Sequence, residues 1–154
     1  MALVLLWSGG AGAADLALKR VALVVGANNG GAGRPTLRYA DTDAQAVGRV
    51  LIELGGVSQR DIRVLTGATL LSLRAALIEL GERAHKARHG AARVEAIFYY
   101  SGHSDETGLL LGGRRLDYAE VRRLIKALPA DVKETMTALM AGLAEKDREC
   151  FYGV

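Results

Sequence analysis

The chain has 154 residues, half of them hydrophobic and 24% charged, which suffices for one buried core and is too short for two independent ones. Twenty basic residues against 17 acidic ones leave a net charge of only +3, and the basic residues are scattered along helical stretches without aromatic interleaving, which argues against a nucleic-acid surface. The one cysteine, Cys150, excludes an intrachain disulfide and any multi-cysteine metal site, and neither a cofactor nor a metal centre is expected.

Residues 1–18 open with the apolar run Ala2 to Trp7 and continue in small residues through Ala-Gly-Ala-Ala, which predicts a signal-like or disordered segment. If it is a signal, the protein is exported to the periplasm or beyond; otherwise it is cytoplasmic. Nothing else in the chain is long and apolar enough to span a membrane. RVALVVGA, Arg20 to Ala27, is a continuous valine-rich run ended by Gly and Asn, the pattern of a strand buried on both faces. After the loop NNGGAGRPT, the stretch LRYADTDAQAVGRVLIELGG repeats Ala40, Ala44, Val47, Val50, Leu51 and Leu54 at helical spacing, and Gly55 supplies the stop. Asp61 to Gly67 reads as a second strand. Thr69 then caps a helix striped by Leu70, Leu73, Leu77 and Leu80, with basic residues toward Gly90.

RVEAIFYYSG predicts a third strand ending at Gly102, and GLLLGGRRL a small hairpin about a Gly-Gly turn. DYAEVRRLIKAL has the capping-box spacing from Asp117 to Glu120, presents Tyr118, Val121, Leu124, Ile125 and Leu128 on one face, and stops before Pro129. From Lys133 onward the sequence reads as a polar helical tail with an aromatic end, where a further strand would be expected. Strands alternating with helices through short connections predict an α/β three-layer sandwich, a mainly parallel sheet between helices. In such sheets the chemistry gathers at the carboxyl ends of strands, which places Ser101 to Asp105 at the functional edge.

His103 follows the third strand among small residues that let a substrate approach the ring, and an imidazole titrates where a general base must. On position alone it also fits a surface turn, and Asp105 and Glu106 either orient the ring or solvate that turn. Gly102 can offer a backbone N–H to an oxyanion. Asp41 and Asp43 open the first helix, where they either complement its dipole or line a pocket for a charged substrate side chain, with Arg38 nearby. The loop GANNGGAGRP has the outer glycine spacing of a P-loop, yet Ala32 and Gly33 stand where the phosphate-binding Lys and Ser or Thr belong, so nucleotide binding is set aside. His85 and His89, one turn apart among Arg83, Lys86 and Arg88, read as helix C-terminal charge in preference to a metal pair.

Together RVALVVGANNG, LRYADTDAQAV and FYYSGHSDE, in this order and at these strand ends, resemble the caspase-like cysteine peptidases, particularly the bacterial caspase-domain and metacaspase-type proteins. The resemblance spans roughly residues 19–132 and implies a caspase-like sandwich that hydrolyses peptide bonds with a Cys-His dyad. It maps the base onto His103, the oxyanion glycine onto Gly102, and the Asp-Ala pair of the first helix onto Asp43 and Ala44. Asp43 is thereby implied as a pocket residue for a basic side chain before the scissile bond, and Arg38 leaves an acidic preference open. The family places its nucleophile at the end of a fourth strand, whereas Cys150 lies further along, before bulky Phe151 and Tyr152.

The expected organisation is therefore a caspase-like domain at 19–132, incomplete at its C-terminal side, followed by an atypical helical tail at 133–154. That is the pattern of a chain truncated or altered in frame before the nucleophile strand. The expected function is a caspase-like cysteine endopeptidase domain acting on peptides or proteins, inactive or impaired in this chain. The alternative is a non-catalytic caspase-like interaction module whose exposed sheet edge and terminal helix bind a partner or a second copy of the chain.

Overall fold

The structure, a computed structural model, describes residues 18–127 and the backbone of one further strand at 132–136. Its elements run β1 (Leu18–Ala27), α1 (Ala40–Glu53), β2 (Ile62–Leu65), α2 (Leu70–Arg88), β3 (Arg93–Ser104), β4 (Gly108–Leu111), β5 (Arg114–Asp117), α3 (Tyr118–Lys126) and β6 (Val132–Met136). Residues 1–17 of the signal-like segment and Cys150 lie outside the described residues, and Leu18 opens β1.

The sheet is centred on β1, whose apolar run pairs in parallel with β2 on one side and along all ten residues with β3 on the other. Along its outer edge β3 changes partner. Val94 to Phe98 pair in parallel with β6, while His103 and Ser104 pair antiparallel with β4. The β4–β5 hairpin turns at Gly112 and Gly113, both at positive φ (57° and 82°), the conformation a two-residue turn between twisted strands demands.

Helices cover both faces, as the α/β alternation predicts. On one face α2 packs Leu73, Leu77 and Leu80 against β1 and β3, and Val121 and Ile125 of α3, which lies beside α2 and β5, belong to the same apolar cluster. A bidentate Arg74–Glu120 ion pair joins those two helices. On the other face α1 packs Ala44, Val47 and Leu51 against Val24 and Tyr99. This seating depends on Gly26, where a Cβ would stand 2.5 Å from the Ala40 carbonyl oxygen, so the start of α1 rests directly on the end of β1. The packing thereby brings the first turn of α1 to the carboxyl edge of the sheet.

Three sequence expectations change. β3 extends past Gly102 to Ser104, so His103 is a strand residue paired with Leu110 and not a turn residue. The backbone at 132–136 is a strand beside β3, so the expected helical tail does not begin at Lys133 and the parallel sheet does not stop at three strands. The alternation of Val132, Glu134 and Met136 with Lys133 and Thr135 carries no clean apolar period, so the sequence alone does not mark a strand there. Finally, Asp117 precedes α3 without any side-chain capping bond, whereas Thr69 caps α2 with a full capping box to Ser72.

Candidate active site

His103 stands at the carboxyl end of β3, half-buried, with the loop 28–37 folded over it. The loop closes on itself where the Leu37 N–H donates to the Asn28 carbonyl at 2.9 Å. Two of its residues grip the imidazole. Gly30 lies against the ring, so close that a Cβ there would be 2.4 Å from His103 Cδ2. Pro35 offers its carbonyl oxygen 2.9 Å from His103 Nε2. A carbonyl only accepts, so Nε2 is the donor of this bond, and in the neutral ring that leaves the lone pair on Nδ1.

Below the histidine the chain is fixed by Tyr100. Its fully buried hydroxyl reaches the His103 carbonyl at 3.0 Å and the Leu110 carbonyl at 3.2 Å, tying the end of β3 to β4. Burial pushes this phenol well above its ordinary pKa, with the nearby Tyr118 adding to the effect, so it remains a donor. The same ring occupies the space beside Gly102: a Cβ there would meet the Tyr100 hydroxyl oxygen at 2.4 Å.

On the α1 face, Ser101 is only 1% exposed and its hydroxyl lies 3.5 Å from Asp43 Oδ2. Tyr99 completes this cluster. Burial raises its phenol pKa, the Ser101 hydroxyl works against that rise and the Asp43 carboxylate adds to it. Asp43 forms no ion pair among the described residues, so a half-buried carboxylate faces the sheet edge without a cation. Arg38 is exposed and makes no side-chain hydrogen bond among the described residues.

Asp105 plays neither of the parts sequence offered it around the imidazole. Its Oδ1 accepts from the Thr107 N–H, the Thr107 hydroxyl and the Gly108 N–H, and its other oxygen pairs with Arg115, closing the β3–β4 connection. Partial burial pushes the carboxyl up, but the Thr107 amide, Arg115 and the remaining donors outweigh it and hold the pKa down at about 2. The folded-state value is depressed, so the contribution is fully present above the unfolded carboxyl pKa and fades as pH falls from about 4 to 2. Asp105→Asn is expected to cost about 1 kcal/mol at neutral pH, allowing for solvent screening, and to flatten the pH dependence of denaturant unfolding in that window. An unaltered slope would show that the turn does not draw stability from this carboxylate.

Asp41, half a turn from Asp43, points elsewhere. It borders a cavity of about 510 Å³ at the ends of β1 and β2, together with Asn28, Asn29, Leu70 and Arg114. His85 and His89 stack edge to face at 5.7 Å on the end of α2, and no cluster of three metal-ligating side chains exists among the described residues. No described helix is long and apolar enough to cross a membrane. The sequence points to His103, Gly102 and Asp43, places Ser101 at the same edge without a role, and gives no sign of Pro35. Pro35 contributes a backbone oxygen, which no side-chain pattern reveals.

The fold is thus an α/β sandwich with a half-buried histidine at the carboxyl end of β3, beside a glycine and under a loop that leaves the first strand. The caspase-domain family model matches residues 19–141, and the chain belongs to that family. A search of curated proteins gives no match.

Proposed function

We propose that the chain is a cysteine-endopeptidase domain in which His103 is the general base and Asp43 reads a Lys or Arg side chain before the scissile bond. The observation that carries this is the Pro35–His103 hydrogen bond, which leaves Nδ1 as the free acceptor at a strand end. In the proposed reaction Nδ1 takes the proton of a cysteine thiol and the thiolate attacks the peptide carbonyl. The oxyanion is met by the Gly102 N–H, and the imidazolium then protonates the leaving amine before water hydrolyses the thioester. The Asp43 carboxylate supplies the charge a basic side chain needs, with Ser101 beside it; Arg38 would serve an acidic side chain instead.

Hydrolysis by the chain as it stands is proposed to be impaired, because no cysteine occurs from Val132 through Glu149 and Cys150 lies well beyond β6. The test introduces cysteine singly at positions 137–140 and adds an arginyl chloromethyl ketone peptide. Expected are no His103-dependent adduct in the unaltered chain and, for at least one variant, an adduct that His103→Ala abolishes. An adduct on Cys150 that needs His103 would overturn the impairment. Folded variants that all label at the rate of a free thiol, with or without His103, would overturn the peptidase reading. They would favour the second one, a non-catalytic caspase-family interaction module, which the lack of a thiol directly after β6 supports.

A further inference from the structure

Resting on the reading of His103 as the base, we infer that Asp41 is a positioning residue for it, acting through the loop 28–37 without touching the imidazole or a substrate. Asn28 and Asp41 bond in both directions: Asn28 Nδ2 donates to Asp41 Oδ2 at 2.9 Å, and the Asp41 N–H donates to Asn28 Oδ1 at 3.3 Å. Tyr39, at the N-cap of α1, makes no side-chain cap, so Asn28 satisfies an open helix N–H from outside. Asp41 Oδ1 accepts the Gly67 N–H at 2.9 Å, which anchors this carboxylate to the turn ahead of α2.

Asn28 is also the residue whose carbonyl closes the loop on Leu37. The neck of the loop is thus held by one carboxylate bound to two other parts of the fold. The tip has a second clamp. The Gly112 N–H donates to the Asn29 carbonyl at 2.8 Å, and Gly31 and Gly113 touch so closely that a Cβ on Gly31 would stand 2.2 Å from Gly113 Cα. Gly30 and Pro35, the two residues that grip the ring, lie between these fastenings. Asp41 contributes to neither apolar cluster, so its removal leaves both cores intact and loosens the neck. A loop free to shift by an ångström separates the Pro35 carbonyl from Nε2, and displacement on that scale lowers catalytic rates sharply.

The experiment reads the His103 ring itself by long-range proton–nitrogen correlation, the signal being assigned by its loss in His103→Gln. The unaltered chain is expected to show the Nε2–H tautomer alone. Asp41→Ala is expected to show both tautomers exchanging, with the backbone amide spectrum of β1 and β3 retained. In the cysteine variant that labels through His103, Asp41→Ala should slow labelling by about tenfold to a hundredfold. Asp41→Asn, which keeps an oxygen for the Gly67 N–H, should restore part of both effects.

A single tautomer in folded Asp41→Ala, with labelling undiminished, would overturn the inference. If Asp41→Ala does not fold, Asn28→Ala breaks the same bond from the loop side and is read in the same way. The tautomer measurement needs no nucleophile, so failure of the peptidase reading, seen in the labelling, is separable from failure of the positioning role, seen in the ring.

Discussion

Asp43→Ala is expected to lower the rate at which an arginyl probe labels the His103-dependent cysteine variant by about two orders of magnitude, while an aspartyl probe is little affected. Asp43 is half-buried, sits 3.5 Å from the Ser101 hydroxyl, and has no cationic partner among the described residues. On the proposed reading, a Lys or Arg side chain entering beside it would complete an ion pair that the described residues leave open. Truncating one member of such a partly desolvated pair costs roughly 2–5 kcal/mol, because the other charge is left buried alone. At about 1.4 kcal/mol per decade, the lower half of that range gives the hundredfold expected. Equal loss for both probes would point to a structural role for the carboxylate. A preference for the aspartyl probe that disappears in Arg38→Ala would move recognition to Arg38 and reverse the sign of the proposed selectivity.

The largest expected effect on stability comes from Gly102→Ala. A methyl group there would lie 2.4 Å from the Tyr100 hydroxyl oxygen and 2.6 Å from Cζ of the same ring. The ring cannot swing aside, because it is fully buried and its hydroxyl is bound to the carbonyls of His103 and Leu110. Overpacking of this kind costs about 1–3 kcal/mol, and freeing a buried hydroxyl from its acceptors about 1–3 more. We expect roughly 3 kcal/mol in total, a fall in Tm of about 10 °C by calorimetry or thermal circular dichroism. Tyr100→Phe removes the closest of these contacts, so the double variant should be more stable than the sum of the singles by about 1 kcal/mol. Strict additivity would show that the methyl group is accommodated elsewhere.

Gly102 illustrates how far the sequence could be read. Its position beside His103 was legible, and so was an oxyanion role for its N–H. The immediate reason for a glycine there is the neighbouring phenol, a contact two residues apart on one face of a strand that no spacing rule flags. The parallel sheet, α1, α2 and the hairpin were legible because their periodicities and turn residues are strong: the valine run of β1, the Leu70–Leu80 stripe, the Gly112–Gly113 pair. β6 was not, since Val132–Met136 lacks a clean apolar alternation and a strand fixed mainly by its partner leaves little mark in its own residues.

The site divides along the same line. His103 and Asp43 announce themselves by side-chain chemistry and by the motif around them. The features that orient the histidine are backbone groups and hydrogen bonds between distant segments: the Pro35 carbonyl, the Gly30 contact, the Asn28–Asp41–Gly67 bridge. In the sequence Asp41 reads only as one of two acids at a helix start, dipole charge or pocket lining, with no sign of a bond to the loop. Its dipole-favoured position would have been explanation enough had the loop neck not been bonded to it.

The ten-residue ladder between β1 and β3 bears on how the molecule comes together. Arg20 faces Glu95 across it, residues 75 positions apart, and the two also share an ion pair at 2.8 Å. All of α1, β2 and α2 must be threaded between the two strands before the central pairing closes. The loop-closure entropy of that step sets in before the ladder returns any stabilisation, so the chain belongs with the slower-folding topologies. The β4–β5 hairpin, by contrast, closes over a two-residue turn and can form early. During synthesis β1 therefore waits, apolar and unpaired on its β3 side, until β3 has left the ribosome.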